Sequence, residues 1–359
     1  MKLHIFNPEH DIALAYDKRY LVVPHAAREL RMNLGFIPCL WADDGVCILV
    51  DDVQYAVKAA TKLGRGHADV LFLSAEQLKG VAFDKIEPWG WDRCIATQLH
   101  DAGVLADLLP SEDGLEHIRS LSSRVHTGGA LDFIRADIED DTCGESFYFT
   151  TAEDVAGFIN AVGDVVVKAP WSSSGRGLRY VHGACSDSTA GWIGRTISAQ
   201  GGVMAEPYYD KVKDFGMEFF SHGDGRVEYC GISLFETLNG AYMGNIIADD
   251  KRKLEALQRF VTEELINIIK QRCIKYFERL FRNKYEGPFG VDMMIVARKD
   301  MDGFVVHPCV EVNLRRTMGH VALSLSSLAE DSSYAMRIVH DVNYCLKLIP
   351  LDKYFVKTL

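Results

Sequence analysis

Two apolar runs, 290–297 and Phe304–Asn313, are separated only by Arg298-Lys-Asp-Met-Asp-Gly303, so an antiparallel hairpin is the shortest way to bury both. The second run closes on Glu311-Val-Asn-Leu-Arg315. Strand side chains alternate faces, which puts Glu311, Asn313 and Arg315 on one side. A turn centred between Met301 and Asp302 sets Asp292 opposite Glu311, whereas a slip of one residue sets it opposite Val310. A carboxylate and an amide carbonyl so spaced, joined by Asp292, are hard oxygen ligands for a Mg²⁺ that also holds phosphates. Arg315 on the same face can meet an anionic group. An isolated E-x-N would more simply be the solvated face of an edge strand, but the arginine and the neighbouring acid favour a metal site.

A second polar constellation lies about 140 residues upstream. Val165-Val-Val-Lys168 reads as an apolar strand ending in a lysine, followed by Ala169-Pro-Trp171 and the loop Ser172-Ser-Ser-Gly-Arg-Gly177. No Gly-Lys-Ser/Thr follows and the next element, 178–181, reads as a strand, so the loop is neither a P-loop nor a dinucleotide fingerprint. A small-residue flap between two strands can fold over a triphosphate, with Ser172, Ser173, Ser174, Gly175 and Gly177 offering N–H and hydroxyl donors. A flexible hairpin turn is the plainer alternative. Lys168 would reach the α- or β-phosphate, and Arg176 either closes over the transferring phosphate or is solvated. Met204-Ala-Glu206-Pro207-Tyr208 can present backbone groups to an adenine edge, with Asp214 accepting from ribose hydroxyls. Taken singly, these acids would be surface residues.

At 359 residues the chain is too long for one typical core, and two or three lobes are expected. Its 48% apolar and 25% charged residues are those of a globular protein. A net charge of −11 argues against nucleic acid or an anionic membrane surface as partner, so a phosphate ligand needs a locally positive pocket. Nine dispersed cysteines without a CxxC pair fit reduced thiols in a cytoplasm. The opening Met1-Lys-Leu-His-Ile-Phe is too short for a signal segment, and no apolar run approaches the roughly 20 residues of a membrane span.

Through 1–120, strand patterns at 3–6, 46–50 and 70–72 alternate with helical ones at 9–16, 26–34 and 96–109, predicting a largely parallel α/β sheet. A helical stretch near 122–124, a strand at 146–150, a helix from 155–159 and a strand at 202–208 follow. Leu254, Leu257, Val261, Leu265, Ile268, Ile269, Tyr276 and Leu280 form one apolar stripe and predict a single long helix, with Asp249 and Asp250 at its start and Gly287-Pro288 ending it. Asn7-Pro-Glu-His-Asp11 follows the first strand, where open α/β sheets bind ligands, although Asn7 as a helix cap with Glu9 and Asp11 in the first turn is the simpler expectation. Trp89-Gly-Trp91-Asp92 is expected to anchor a core corner. Arg316 and His320 are candidates only by proximity to the metal strand.

In this order, Lys168, the 172–177 flap, the 204–208 hinge, Gly290-Val-Asp292 and Glu311-Val-Asn-Leu-Arg315 resemble the ATP-grasp superfamily over roughly 120–330. The resemblance implies an α/β fold with a Rossmann-like domain over 1–120 before a two-part grasp, 121–205 with the flap and 206–359 with the metal hairpin. It also implies that Lys168 binds ATP phosphate, that Glu206, Tyr208 and their backbone meet adenine, and that Asp214 meets ribose. Asp292, Glu311 and Asn313 would hold Mg²⁺, with Mn²⁺ as a substitute, and Arg315 would stabilise the transferred phosphoryl group or the acyl phosphate. The family often carries a second lysine near the start of the grasp; here the nearest group is Arg124, whose planar fork is no lysine equivalent. The implied activity is an ADP-forming ligase joining a small carboxylate to an amine. A small-molecule kinase and a nucleotide-binding protein without turnover are alternatives, and homo-oligomerisation is compatible with all three.

Overall fold

The structure, a computed structural model, describes residues 1–43, 45–63, 70–172, 177–238, 241–299, 301–329 and 332–351. Its first sheet is parallel, with β1 (Lys2–Ile5), β2 (Cys47–Leu49), β3 (Leu71–Leu73) and β4 (Lys85–Pro88) in the order β3-β2-β1-β4. Helices α1 (His10–Tyr16), α2 (His25–Leu34), α3 (Val53–Leu63), α4 (Arg93–Asp101) and α5 (Glu112–Leu121) accompany it. Central strands covered on both faces are largely apolar, and the buried His4 of β1 is an exception. Accordingly Leu3 and Ile5 pack with Ile95 and Leu99 of α4, while Ile48 packs with Leu34 of α2 and Ala56 of α3. The helix expected over 96–109 stops at Asp101, because Gly103 turns the chain at φ +91°, where a side chain is strained.

The second sheet is antiparallel: β5 (Phe147–Phe149), β6 (Asp164–Lys168), β7 (Leu178–His182) and β8 (Val203–Pro207), in the order β5-β8-β6-β7. Helix α6 (Thr127–Arg135) precedes it, and α7 (Ala152–Val162) and α8 (Asp187–Gln200) cover one face, burying Val165, Val167, Val203 and Ala205. The two-residue period then sends Val166, Lys168, Met204 and Glu206 to the other face.

The third sheet holds β9 (Lys211–His222), β10 (Val227–Leu238), β11 (Ala241–Ile247), β12 (Glu286–Ala297), β13 (Phe304–Asn313), β14 (Ser333–His340) and β15 (Tyr344–Leu351), in the order β13-β12-β9-β10-β11-β14-β15. Where the sequence predicts one long helix there are two, α9 (Asp250–Leu257) and α10 (Glu263–Phe281), because Thr262 caps a new start by accepting from Leu265 N at 3.2 Å. Gly287-Pro288 does not end α10. It lies inside β12, and the helix stops at Phe281 before a left-handed Asn283 at φ 56°. Helix α10 lays Phe277 and Phe281 against Phe289 of β12, with ring centroids 5.0 and 4.9 Å apart. Ala130, Leu131 and Ile134 of α6 join this core, although a sequence boundary at 121 assigns them to the middle unit. Helix α11 (Met318–Ser324) packs on the opposite side, against β9, β10 and β11.

Asp292 does pair with Glu311, and Gly290 with Asn313, but the hairpin reaches that register by a different route. Next to the turn Ala297 faces Phe304, and Met294 faces His307. A bulge at 308–310 then resets the pairing before Asp292. Pro308, with no N–H to give a ladder, fits such an irregular point.

Phe277→Ala is expected to cost about 3–5 kcal/mol by emptying an aromatic core position. Ile268→Ala, on the same helix but only half-buried, should cost far less. Urea melts of the two variants compare these outcomes.

Candidate active site

Lys168 and Glu206 leave the apolar face of the second sheet and meet as a buried pair, Nζ to Oε2 at 2.5 Å. Ser146 Oγ donates to the other Glu206 oxygen at 3.0 Å, and Lys168 Nζ donates to the Val310 carbonyl at 3.3 Å, reaching the third sheet. A buried charge without its partner is costly, so each holds the other in place. Tyr208 lies beyond the pair, its ring packed against Tyr180 and His182. Asp214 is on β9, accepting from Lys211 Nζ and Thr237 Oγ1, both at 2.6 Å.

Across from this, one face of the third sheet carries Glu311 and Asn313 on β13, Asp292 on β12 and Glu218 on β9. Asn313 Nδ2 donates to Asp292 Oδ2 at 3.0 Å. Burial, then the carboxylates of Glu311 and Glu218, push the Asp292 carboxyl well above its ordinary range. Adjacent oxygen donors that repel one another fit a divalent cation, and Asp292, Glu311 and Asn313 are the residues able to hold one. Among the described residues no group of three or more His, Cys, Asp or Glu side chains could hold a metal ion; the set here is two carboxylates and an amide.

Arg315 does not stand free to meet an anion. It donates to both Asp11 oxygens, from Nε at 2.9 Å and Nη2 at 2.8 Å, and also to Asn313 Oδ1 at 2.9 Å and the Arg316 carbonyl at 3.2 Å. Burial works to raise the Asp11 carboxyl, but the Arg315 fork outweighs it and holds Asp11 below its ordinary range. In this structure Arg315 orients Asn313 and ties the first sheet's loop to the end of β13.

Arg124 is the cation that spans the two halves. Its Nη1 donates to the Ala169 carbonyl and to Ser172 Oγ, both at 2.7 Å, and its Nη2 to Glu311 Oε1 at 2.5 Å. Trp171 fixes the loop entry: Gln200 makes two bonds with its backbone, its indole N–H donates to the Arg119 carbonyl at 2.9 Å, and the Arg119 guanidinium lies 4.0 Å over its ring. At the loop exit, a side chain on Gly177 would overlap Ser172. Ser173, Ser174, Gly175 and Arg176 lie outside the described residues.

Asn7 does not cap α1. Its Nδ2 donates to the Gly90 carbonyl at 2.9 Å and to Asp92 Oδ2 at 3.3 Å, while His10 Nδ1 lies 3.1 Å from that same oxygen. Glu9 pairs with Arg31 at 2.6 Å. The run thus locks β1 to β4 and brings Asp11, with His10 beside it, to the cavity at the site. Trp89 fills a core corner against Phe6 and Trp41, as expected. Arg316 lies over the Trp41 ring, and His320 is buried 3.0 Å from Glu218. Ser233 and Thr317 hydroxyls also donate to Glu218, at 2.7 and 2.8 Å. Burial works to raise Glu218, but His320 and the hydroxyls hold it below its ordinary range. Sequence reasoning missed Glu218; the glycines at 216, 290 and 319 that make room for it are the available signal, and they come together only in the fold.

No protein-family model matches the chain, and no curated protein matches its sequence. Solved structures match its fold. A biotin carboxylase–β,γ-ATP complex from Campylobacter jejuni superposes with a TM-score of 0.53 at 12% identity, over 95% of this chain and 76% of that one. The N5-carboxyaminoimidazole ribonucleotide synthetase from Thermus thermophilus gives 0.51 at 11% identity, over 94% and 83%. These likenesses define the ATP-grasp fold, preceded by a Rossmann-like parallel sheet.

The Asp11–Arg315 pair carries a pH signature. Asp11 titrates below its ordinary value of 3.8, so the pair stabilises the fold fully above that value and loses its effect as pH falls through it toward the folded-state value. Asp11→Asn should lower the melting temperature at pH 7, and the deficit should shrink below pH 3.8. A pH series of calorimetric scans on both proteins checks it.

Proposed function

We propose that the chain is an ATP- and Mg²⁺-dependent ligase that activates a small carboxylate as an acyl phosphate for attack by an amine, releasing ADP. The observation that carries this is the meeting of a buried lysine hinge, a serine–glycine loop and an oxygen-donor strand at one junction, bridged by Arg124. On this proposal the working units are 1–120, 121–205 and 206–359.

A substrate carboxylate oxygen attacks the γ-phosphorus, and the bond to the ADP oxygen breaks. The amine nitrogen then attacks the acyl carbon, inorganic phosphate leaves, and the amine loses a proton. Such transfers need positioning and charge neutralisation more than covalent help. On this reading Lys168 binds the α- or β-phosphate, Glu206 and the backbone around it meet adenine, and Asp214 meets ribose. Ser172 and Gly177 border the phosphates, and Arg124 reaches the transferred group. Asp292, Glu311 and Asn313 would hold Mg²⁺, which supplies charge neutralisation at the phosphate oxygens. Asp11 and Arg315 set the wall that faces the carboxylate and amine. Support for the ligase over other uses of the fold comes from the two solved relatives, a carboxylase and a synthetase. No helix among the described residues is long and apolar enough to cross a membrane.

Lys168→Met is expected to weaken ATP binding roughly 10- to 100-fold, from loss of a charge-assisted hydrogen bond worth about 1.5–3 kcal/mol. Calorimetry checks this, and unchanged affinity would remove Lys168 from the site. In a panel of carboxylates and amines, phosphate release that needs both partners supports the ligase. Phosphate retained on a hydroxyl substrate indicates a kinase instead, and Mg²⁺-dependent ATP binding with no ADP formed on any pair indicates a non-catalytic nucleotide binder.

A further inference from the structure

Arg124 and a divalent cation make competing claims on one carboxylate. Glu311 Oε1 accepts from Arg124 at 2.5 Å, and the guanidinium is buried, so solvent screens its charge poorly. A doubly charged cation on Glu311 would be repelled by this fixed neighbour unless an anion lies between them. The same guanidinium holds Ser172 at the mouth of the loop. Its Nε–H is buried with no acceptor among the described residues, an unused donor on a group already making three hydrogen bonds. Arg124, Ser172 and Glu311 border a cavity of about 20 Å³ that also touches Asp11, room for about one water molecule. A phosphate can enter there only if the Arg124–Glu311–Ser172 contacts part.

We propose that Arg124 sets the order in which the site fills. Its pair with Glu311 keeps divalent cations off that carboxylate until a polyphosphate takes the guanidinium, which frees Glu311 for the metal and Ser172 for the loop. The inference rests on the ligase function proposed above. It predicts that metal binding is conditional on nucleotide because of one arginine, whereas a lone carboxylate pair would bind metal first.

The test is Mn²⁺ titration without nucleotide, followed by the loss of the free-ion paramagnetic resonance signal. Arg124→Gln should bind Mn²⁺ about tenfold or more tightly than wild type, within the usual span of site coupling. The gain should vanish in Arg124→Gln/Glu311→Gln. Arg124→Lys, which keeps the charge, should stay close to wild type and guards against a Gln variant that fails to fold. Equal Mn²⁺ affinity in wild type and Arg124→Gln, or a gain that survives Glu311→Gln, overturns the inference. Calorimetry of wild type with ATP and Mg²⁺ is run in parallel. Binding there with no Arg124→Gln gain sinks the switch alone, and no binding there overturns the nucleotide site with it.

Discussion

The bidentate pair between Asp11 and Arg315 decides how the first and third sheets sit on one another. Parallel charge-assisted hydrogen bonds fix both distance and angle, and a fork on a carboxylate has few other solutions. Arg315 ends the metal strand and Asp11 begins α1, so the pair carries the geometry of one sheet into the other. The next residue continues the contact, with Arg316 N donating to the Trp89 carbonyl at 2.8 Å and its guanidinium over Trp41. Beneath these polar links a shared core joins Phe6, Ile48 and Trp89 to Ile247, Val321 and Met336. The first and third sheets thus pack as one unit. The second sheet has its own small core and meets them through Lys168, Arg124 and Trp171.

On the third sheet the two-residue period separates packing from chemistry. One face sends Phe215, Met217, Phe219, Phe289, Val291 and Met293 into the core under α10. The other presents Glu218, Asp292, Glu311 and Asn313 among glycines. A side chain at 290 or 319 would overlap the Glu218 carboxylate, so those glycines are a requirement of the buried acid rather than a source of flexibility. Helix α11 closes over that end, with Thr317 both capping the helix and donating to Glu218. The residue that anchors the helix therefore stands two positions from Arg315, and the position of the metal strand depends on the network around Glu218.

Much of this was legible in the sequence because it is local. The parallel first sheet, the strand–loop–strand around 168–178 and the Asp292–Glu311 pairing all follow from short-range patterning and a short connection. The pairing also carries a lesson, since the turn lies elsewhere than assumed and a bulge at 308–310 restores the register. Strands β9, β10 and β11 were not legible in the same way. Their site face carries glycine, serine and glutamate instead of a clean alternation, and so hides the strand period. The single long helix was overestimated because an apolar stripe ignores the phase break at Thr262, where a cap restarts the helix. The partner of Arg315 lies 304 residues away, and no pattern within the strand encodes that contact.

Charge bears on the proposed function, since a protein of net charge −11 would there hold a ligand of several negative charges. The cations described at the junction are already engaged: Lys168 with Glu206, Arg124 with Glu311 and Arg315 with Asp11. A polyphosphate cannot simply add to such a set, because each bond it gains from a cation displaces or weakens one to a carboxylate. The pairs differ in how readily they exchange. Lys168–Glu206 is closed within a buried network, and Arg315 is held by both oxygens of Asp11. Glu311 has a side chain 30% exposed and grips Arg124 through one oxygen, so this pair parts at least cost. On the proposed function its carboxylate is also the one that a metal ion would take over when the arginine leaves. Among the three pairs, then, the one joining the loop entry to β13 is the one whose exchange, on the proposed function, would conserve charge pairing on both sides, phosphate with arginine and metal with glutamate.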